Sequence, residues 1–135
     1  MNNGKFVDDN IVNSLLEKIV FDDTKKNRLI FDGYPRTINQ AKNLEKLLNN
    51  SDQKVDFVFF LNVKKDTIIK RIEKRKILEK RSDDDLETIL KRYDTYMEVT
   101  KPVLEYYSKK NNFYEIDGSM EIINISQKIE EILNV

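Results

Sequence analysis

Apolar positions recur along the chain with two different spacings, and the change from one to the other divides it into helices and strands. Ile11, Val12, Leu15, Leu16 and Ile19 form one stripe at helical spacing, which predicts a helix over about 9–20 capped by Asp8 or Asp9. Ile38, Ala41, Leu44, Leu47 and Leu48 repeat the pattern over about 37–49. Between them, Leu29-Ile30-Phe31 is a short apolar run that stops at Asp32-Gly33, which predicts a buried strand over 28–32. Val55–Val63, almost wholly apolar, predicts a strand covered on both faces. Lys64–Lys76 reads as a helix, and Ser82-x-x-Asp85 as a capping box opening a long helix to about Lys109. Pro102 should kink that helix near Glu98–Lys101. Phe113–Ile116 is a third strand, ending in Asp117-Gly118-Ser119, and a last helix covers about 120–133. Strands alternating with helices predict an α/β fold with a parallel sheet and right-handed crossovers.

Composition narrows the chemistry. The 135 residues are 39% apolar and 36% charged, with 24 basic against 24 acidic side chains and no net charge. Bulk electrostatics therefore give no pull toward nucleic acid or an anionic membrane. No cysteine and no histidine occur. Disulfides, thiolate or imidazole zinc ligands and imidazole bases are thereby excluded. No apolar run reaches membrane-spanning length and MNNGKF lacks a signal-peptide core, so the expected compartment is the cytoplasm. The expectation is one domain over 1–135, with no repeat and no linker.

The turn after the first strand carries the candidate site. Asp32, Arg36 and Gln40 fall at a carboxyl strand end, where α/β sheets bind ligands. A carboxylate there can hold a hydrated divalent cation, an arginine fork a phosphate, and an amide one turn on a base edge. A Pro turn followed by a solvated helix accounts for the same residues. Arg71 and Arg75 share one helix face, and Arg81 and Arg92, eleven apart, can share another. Singly, each reads as surface charge. Gathered round one crevice, they would supply the cations that phosphoryl transfer needs around oxygens gaining charge.

Longer matches go further. Asp32-Gly33-Tyr34-Pro35-Arg36-Thr37, then Gln40-Ala41, closely resembles the D-G-F/Y-P-R-T-x-x-Q-A signature of adenylate kinases. Arg71-Ile72-Glu73-Lys74-Arg75 is similar to the family's R-x-x-x-R. Arg81, Asp83, Asp84, Glu87, Thr88, Arg92, Tyr96, Thr100 and Pro102 keep the order and spacing of its next motif. The resemblance implies a three-layer parallel sheet of the P-loop nucleoside monophosphate kinase type, and the reaction ATP + AMP to 2 ADP with Mg²⁺. It implies that Arg36 binds the AMP phosphate and Gln40 the adenine, with Gly33 and the G-K-L-V-like segment Lys5, Phe6 and Val7 lining the AMP pocket. Asp32 would orient magnesium through water. Arg71, Arg75, Arg81 and Arg92 would clamp phosphoryl groups, Arg81 and Arg92 also on the AMP side. Gly118, Ser119 and Met120 would lie against ATP. Asp83 and Asp84 would help close a short lid over about 76–81, a type without zinc. Partners would be ATP, AMP and ADP, with no nucleic acid and no membrane, and the complete fold a monomer.

One part of the family pattern has no match. G-x-x-x-x-G-K-S/T, whose amides and lysine cradle ATP phosphates, occurs nowhere among three glycines, Gly4, Gly33 and Gly118. The expectation is therefore a chain truncated at its N-terminus with impaired activity. Three strands would remain, with helices on both faces and a gap between the first two in the family order 2-3-1-4-5. A UMP-CMP kinase fragment is the nearest enzyme alternative, although Thr37 and Gln40 favour AMP. A non-catalytic nucleotide-binding remnant is the alternative of another class.

Overall fold

A computed structural model describes residues 8–79 and 86–134. Helix α1, Asp9–Val20, starts where Asp8 accepts a hydrogen bond from the Asn10 N–H at 2.8 Å. Helix α2, Ile38–Asn50, starts in the same way, with Thr37 Oγ1 accepting from Gln40 N at 3.1 Å. Each cap satisfies one of the N–H groups that a helix start leaves without a partner. The two helices bury Leu16, Val20, Leu44, Leu47 and Leu48 against each other. Leu29, Phe31, Tyr34 and Val55 pack against this core from the side.

Strands β1, Val58–Asn62, and β2, Phe113–Asp117, pair in parallel, Val58 opposite Phe113 and Asn62 opposite Asp117. Between them the chain forms α3, Lys65–Glu79, and α4, Leu86–Ser108, and α5, Ile122–Leu133, follows β2. One sheet face, through Val58 and Phe113, packs on Ala41 of α2 and on Val103 and Tyr107 of α4. The other carries a ring row in which Phe59 lies 5.9 Å from Tyr114 and 6.1 Å from Phe57. Helix α5 lies against β2. The architecture is thus the expected α/β type with a parallel sheet. Helix α4 continues through Pro102, the predicted point of a kink.

The sheet has two strands where three were expected. Residues 28–32 form no ladder. Leu29 and Phe31 turn toward the α1–α2 core, while Ile30 between them is 95% exposed. The alternation is that of a strand, but a strand is stabilised by a ladder, and among the described residues neither β1 nor β2 pairs with this one. In the implied strand order another strand stands between 28–32 and β1. None of the described residues occupies that place.

Candidate active site

The described candidate residues fall into two groups, one in the turn before α2 and one round the turn after β2. Gly33 takes φ +70°, a left-handed conformation that favours glycine. This turns the chain so that Arg36 Nε donates to Gly33 O at 2.7 Å. The backbone N–H of Arg36 donates to Gln40 Oε1 at 2.7 Å, and its carbonyl accepts from Thr100 Oγ1 of α4 at 3.2 Å. The positive charge of Arg36 also reaches Tyr96, one turn before Thr100. Burial raises the Tyr96 hydroxyl pKa and Arg36 opposes the rise. Arg92 lies one further turn back along α4, partly buried.

Gln40 is 4% exposed, and both ends of its amide bind protein atoms. Oε1 accepts from Arg36 N, and Nε2 donates to Asp9 Oδ1 at 2.7 Å. Tyr34 closes the same corner, its hydroxyl 3.4 Å from Gln40 O. Burial, and then the Asp9 charge, push that hydroxyl up to about 12.

A second group forms round the turn after β2. Gly118 N donates to Asn62 O at 2.9 Å, and Arg71 of α3 donates to Gly118 O at 2.8 Å. A Cβ on Gly118 would lie 2.5 Å from Val63 Cγ2, so the turn has no room for a side chain. Ser119 donates to Asp117 from its backbone and its hydroxyl, which holds that carboxyl below the usual carboxylate range. Arg71 is therefore brought to Gly118 and Ser119, and Arg75 follows one turn along α3, partly buried. Met120 continues from the same turn, partly buried.

Asp32 is exposed at the end of the extended segment. Among the described residues no three acidic side chains gather as a metal cage. Magnesium keeps several waters and takes one or two carboxylates plus substrate phosphates, so a single exposed carboxylate fits a water-mediated role. Lys5, Phe6, Val7, Arg81, Asp83 and Asp84 lie outside the described residues. So do the Ser82–Asp85 capping box and residues 80–81 of the expected lid, whose first part, 76–79, is the end of α3. No helix among the described residues is long and apolar enough to cross a membrane.

Pattern reading gave Asp9 only as a candidate cap and missed its contact with Gln40, which spans thirty-one positions. It had also missed the role of Thr100 in tying α4 to the Arg36 carbonyl. The capping role of Thr37 was visible in its place just before an apolar helical repeat.

The fold is α/β with a parallel sheet, and the turns before α2 and after β2 carry arginines, the side chain suited to phosphate. The comparisons are more specific. The adenylate kinase family model matches residues 1–112. The adenylate kinase of Pelagibacter ubique (strain HTCC1062) is 47% identical over 161 aligned positions, covering 100% of this chain and 76% of the relative. That of Porphyromonas gingivalis (strain ATCC 33277) is 35% identical over 134 positions, covering 99% and 69%. That of Thermosipho africanus (strain TCF52B) is 31% identical over 159 positions, covering 98% and 73%. The chain belongs to the adenylate kinase family of phosphotransferases.

Proposed function

We propose that these residues form the acceptor side of an adenylate kinase and bind AMP, and that the complete fold transfers a phosphoryl group from ATP to AMP, giving 2 ADP. The observation that carries this reading is the pairing of Arg36 with Gln40 at the start of α2. A phosphate ligand and a base-reading amide are held one helical turn apart by the backbone between them. Arg36 takes the AMP phosphate, Gln40 the adenine, and Gly33 gives the turn its shape. Arg71 and Arg75 serve the donor side with Gly118, Ser119 and Met120, and Arg92 faces the acceptor. Lys5, Phe6, Val7, Arg81, Asp83 and Asp84 keep the roles that the family pattern gives them, with residues 76–81 as a short lid on a single domain. The Porphyromonas alignment supports the short lid, running over 134 positions with hardly a gap. The Pelagibacter alignment needs 161 positions to cover this chain.

Magnesium, bound with ATP, neutralises charge on the phosphates, and Asp32 holds it through water. The protein residues supply position and cations, which suffice for a reaction with little covalent chemistry for a protein to perform. Because G-x-x-x-x-G-K-S/T is absent from these 135 residues, the donor phosphates have no cradle here. The chain alone is expected to bind AMP but to make ADP only at trace rate. The same absence favours a second reading, a nucleotide-binding remnant. The reading further gives a monomer when the fold is complete, and a cytoplasmic location.

Calorimetric titration with AMP, beside an ADP-formation assay with ATP, AMP and magnesium, tests this. Binding lost in Arg36→Ala supports the acceptor site, and unchanged affinity overturns it. Robust ADP formation by the 135-residue chain overturns the impairment.

A further inference from the structure

We propose that Asp9 is a positioning residue that fixes which end of the Gln40 amide donates, and thereby selects adenine over a 6-oxopurine. The proposal rests on the AMP reading above and adds a determinant of base choice on another helix. A side-chain amide has two ends of nearly equal shape, so turning it over exchanges donor for acceptor at little steric cost. Around Gln40 both neighbours forbid the exchange. The Arg36 N–H can only donate, and it meets Oε1 at 2.7 Å. The Asp9 carboxylate accepts, and it meets Nε2 at 2.7 Å. A flipped amide would set donor against donor and acceptor against acceptor. Such a mismatch would cost both hydrogen bonds at once.

The orientation has a chemical consequence. Oε1 keeps a second lone pair and Nε2 a second proton. Together they complement the Watson–Crick edge of adenine, which offers an amine donor beside a ring-nitrogen acceptor. The 6-oxo group and N1–H of hypoxanthine present the opposite order. Of the two neighbours, the Arg36 N–H is backbone and shared by every sequence with this turn. Asp9 is a side chain, and a charged acceptor makes the stronger class of hydrogen bond. Its part is distinct from helix capping, because Asp8 already takes the cap bond from Asn10. Asp9 also lies on α1, so the amide lock holds only while α1 and α2 keep their places.

The test uses the full chain labelled with ¹⁵N. Solvent exchange of the Gln40 side-chain protons is read by NMR in wild type, Asp9→Ala, Asp9→Ser and Asp9→Asn, and each is titrated with AMP and with IMP. In Asp9→Ala the Gln40 protons should exchange about tenfold faster and the preference for AMP over IMP should fall about tenfold, the loss of one charge-assisted bond. Asp9→Ser keeps a helix-start residue but cannot reach Nε2, and should match the alanine variant. Asp9→Asn still offers a carbonyl oxygen and should retain most of both properties. Unchanged Gln40 exchange in Asp9→Ala and Asp9→Ser overturns the proposal. So does faster exchange with an unchanged AMP preference, which would leave Asp9 a purely structural latch. A wild-type chain with protected Gln40 protons that binds neither nucleotide overturns base selection together with the AMP reading. In that case the protected protons show that the AMP reading, and not the lock, has failed.

Discussion

At the corner of α1 and α2, five apolar side chains are buried together, both helix starts are capped, and the Gln40 amide is satisfied at both ends. On the β2–α5 flank the construction is different. Helix α5 has no buried residue and no side-chain cap, and Ile122 stands 83% exposed at its start. Phe57 and Leu61, at β1, are also exposed. Arg36 and Gln40 thus sit on a core of their own. Gly118 and Arg71 sit on a two-stranded sheet whose ring-bearing face is only partly covered. The contrast shows that the candidate site round Arg36 and Gln40 is held apart from the sheet. What that site needs comes from α1, α2 and α4, and not from the middle of a wide sheet.

The sharpest way to break this comparison is to remove one side chain from each region. Leu44→Ala takes a fully buried side chain from the α1–α2 core, and should cost about 2–5 kcal/mol. Ile123→Ala, on an exposed position of α5, should cost less than about 0.5 kcal/mol. Urea unfolding of both variants decides the matter. Equal losses would mean that α5 is packed as tightly as the α1–α2 core, and that the two regions form one cooperative core.

Next in size is the turn after β2. Gly118→Ala forces a methyl group against Val63 Cγ2 and the Asn62 carbonyl. It should cost about 1–3 kcal/mol, the usual penalty of overpacking. It should also weaken the bond from Arg71 to the Gly118 carbonyl, visible as a shift of the Arg71 guanidinium signals. An unshifted Arg71 would show that the arginine is placed by α3 alone.

Much of this organisation was legible beforehand because its causes are local. The starts of α1 and α2 follow from Asp8 and Thr37 standing before apolar repeats, and β2 from an apolar run closed by Asp117-Gly118. Residues 28–32 misled for a non-local reason. Alternation makes a segment extended, whereas a ladder requires a neighbour, and local pattern says nothing of neighbours. The Asp9–Gln40 bond stayed hidden in the same way. Nothing in an aspartate at the first position of a helix foretells an amide thirty-one residues on. The Gly33–Arg36–Gln40 turn was readable because it is compact in sequence, whereas the link from Arg71 to Gly118 required the fold.

Smaller effects test how the better-built corner divides its stability. Thr37→Ala removes the cap of α2 and should cost about 1 kcal/mol, with Gln40 protected less because its backbone N–H loses Thr37 Oγ1. A loss of stability with unaltered Gln40 protection would show that Asp9 and Arg36 hold the amide without help from the cap.

The smallest effect should appear farther along α2, where Glu45 accepts from the Tyr106 hydroxyl and pairs with Lys110. Partial burial pushes the Glu45 carboxyl up, but the Lys110 and Tyr106 hydrogen bonds outweigh it and hold the carboxyl below its ordinary 4.5. A depressed carboxyl pKa stabilises the fold above its unfolded value, and that contribution disappears as pH falls through the folded one. Lys110 moves the other way. The Glu45 bond raises it above 10.5, so its contribution is present below the unfolded value and lost as pH rises through the folded one. The clasp should therefore hold from mildly acidic to mildly alkaline pH and fail at both extremes. Since the pair is partly solvated, it should be worth less than about 1 kcal/mol. Comparing urea midpoints of wild type and Glu45→Gln should give a small difference near pH 7 that disappears as pH falls through the lowered Glu45 carboxyl value. A difference that persists in acid would mean that Glu45 acts through packing against Tyr106, and that charge contributes little even in the more tightly built half of the molecule.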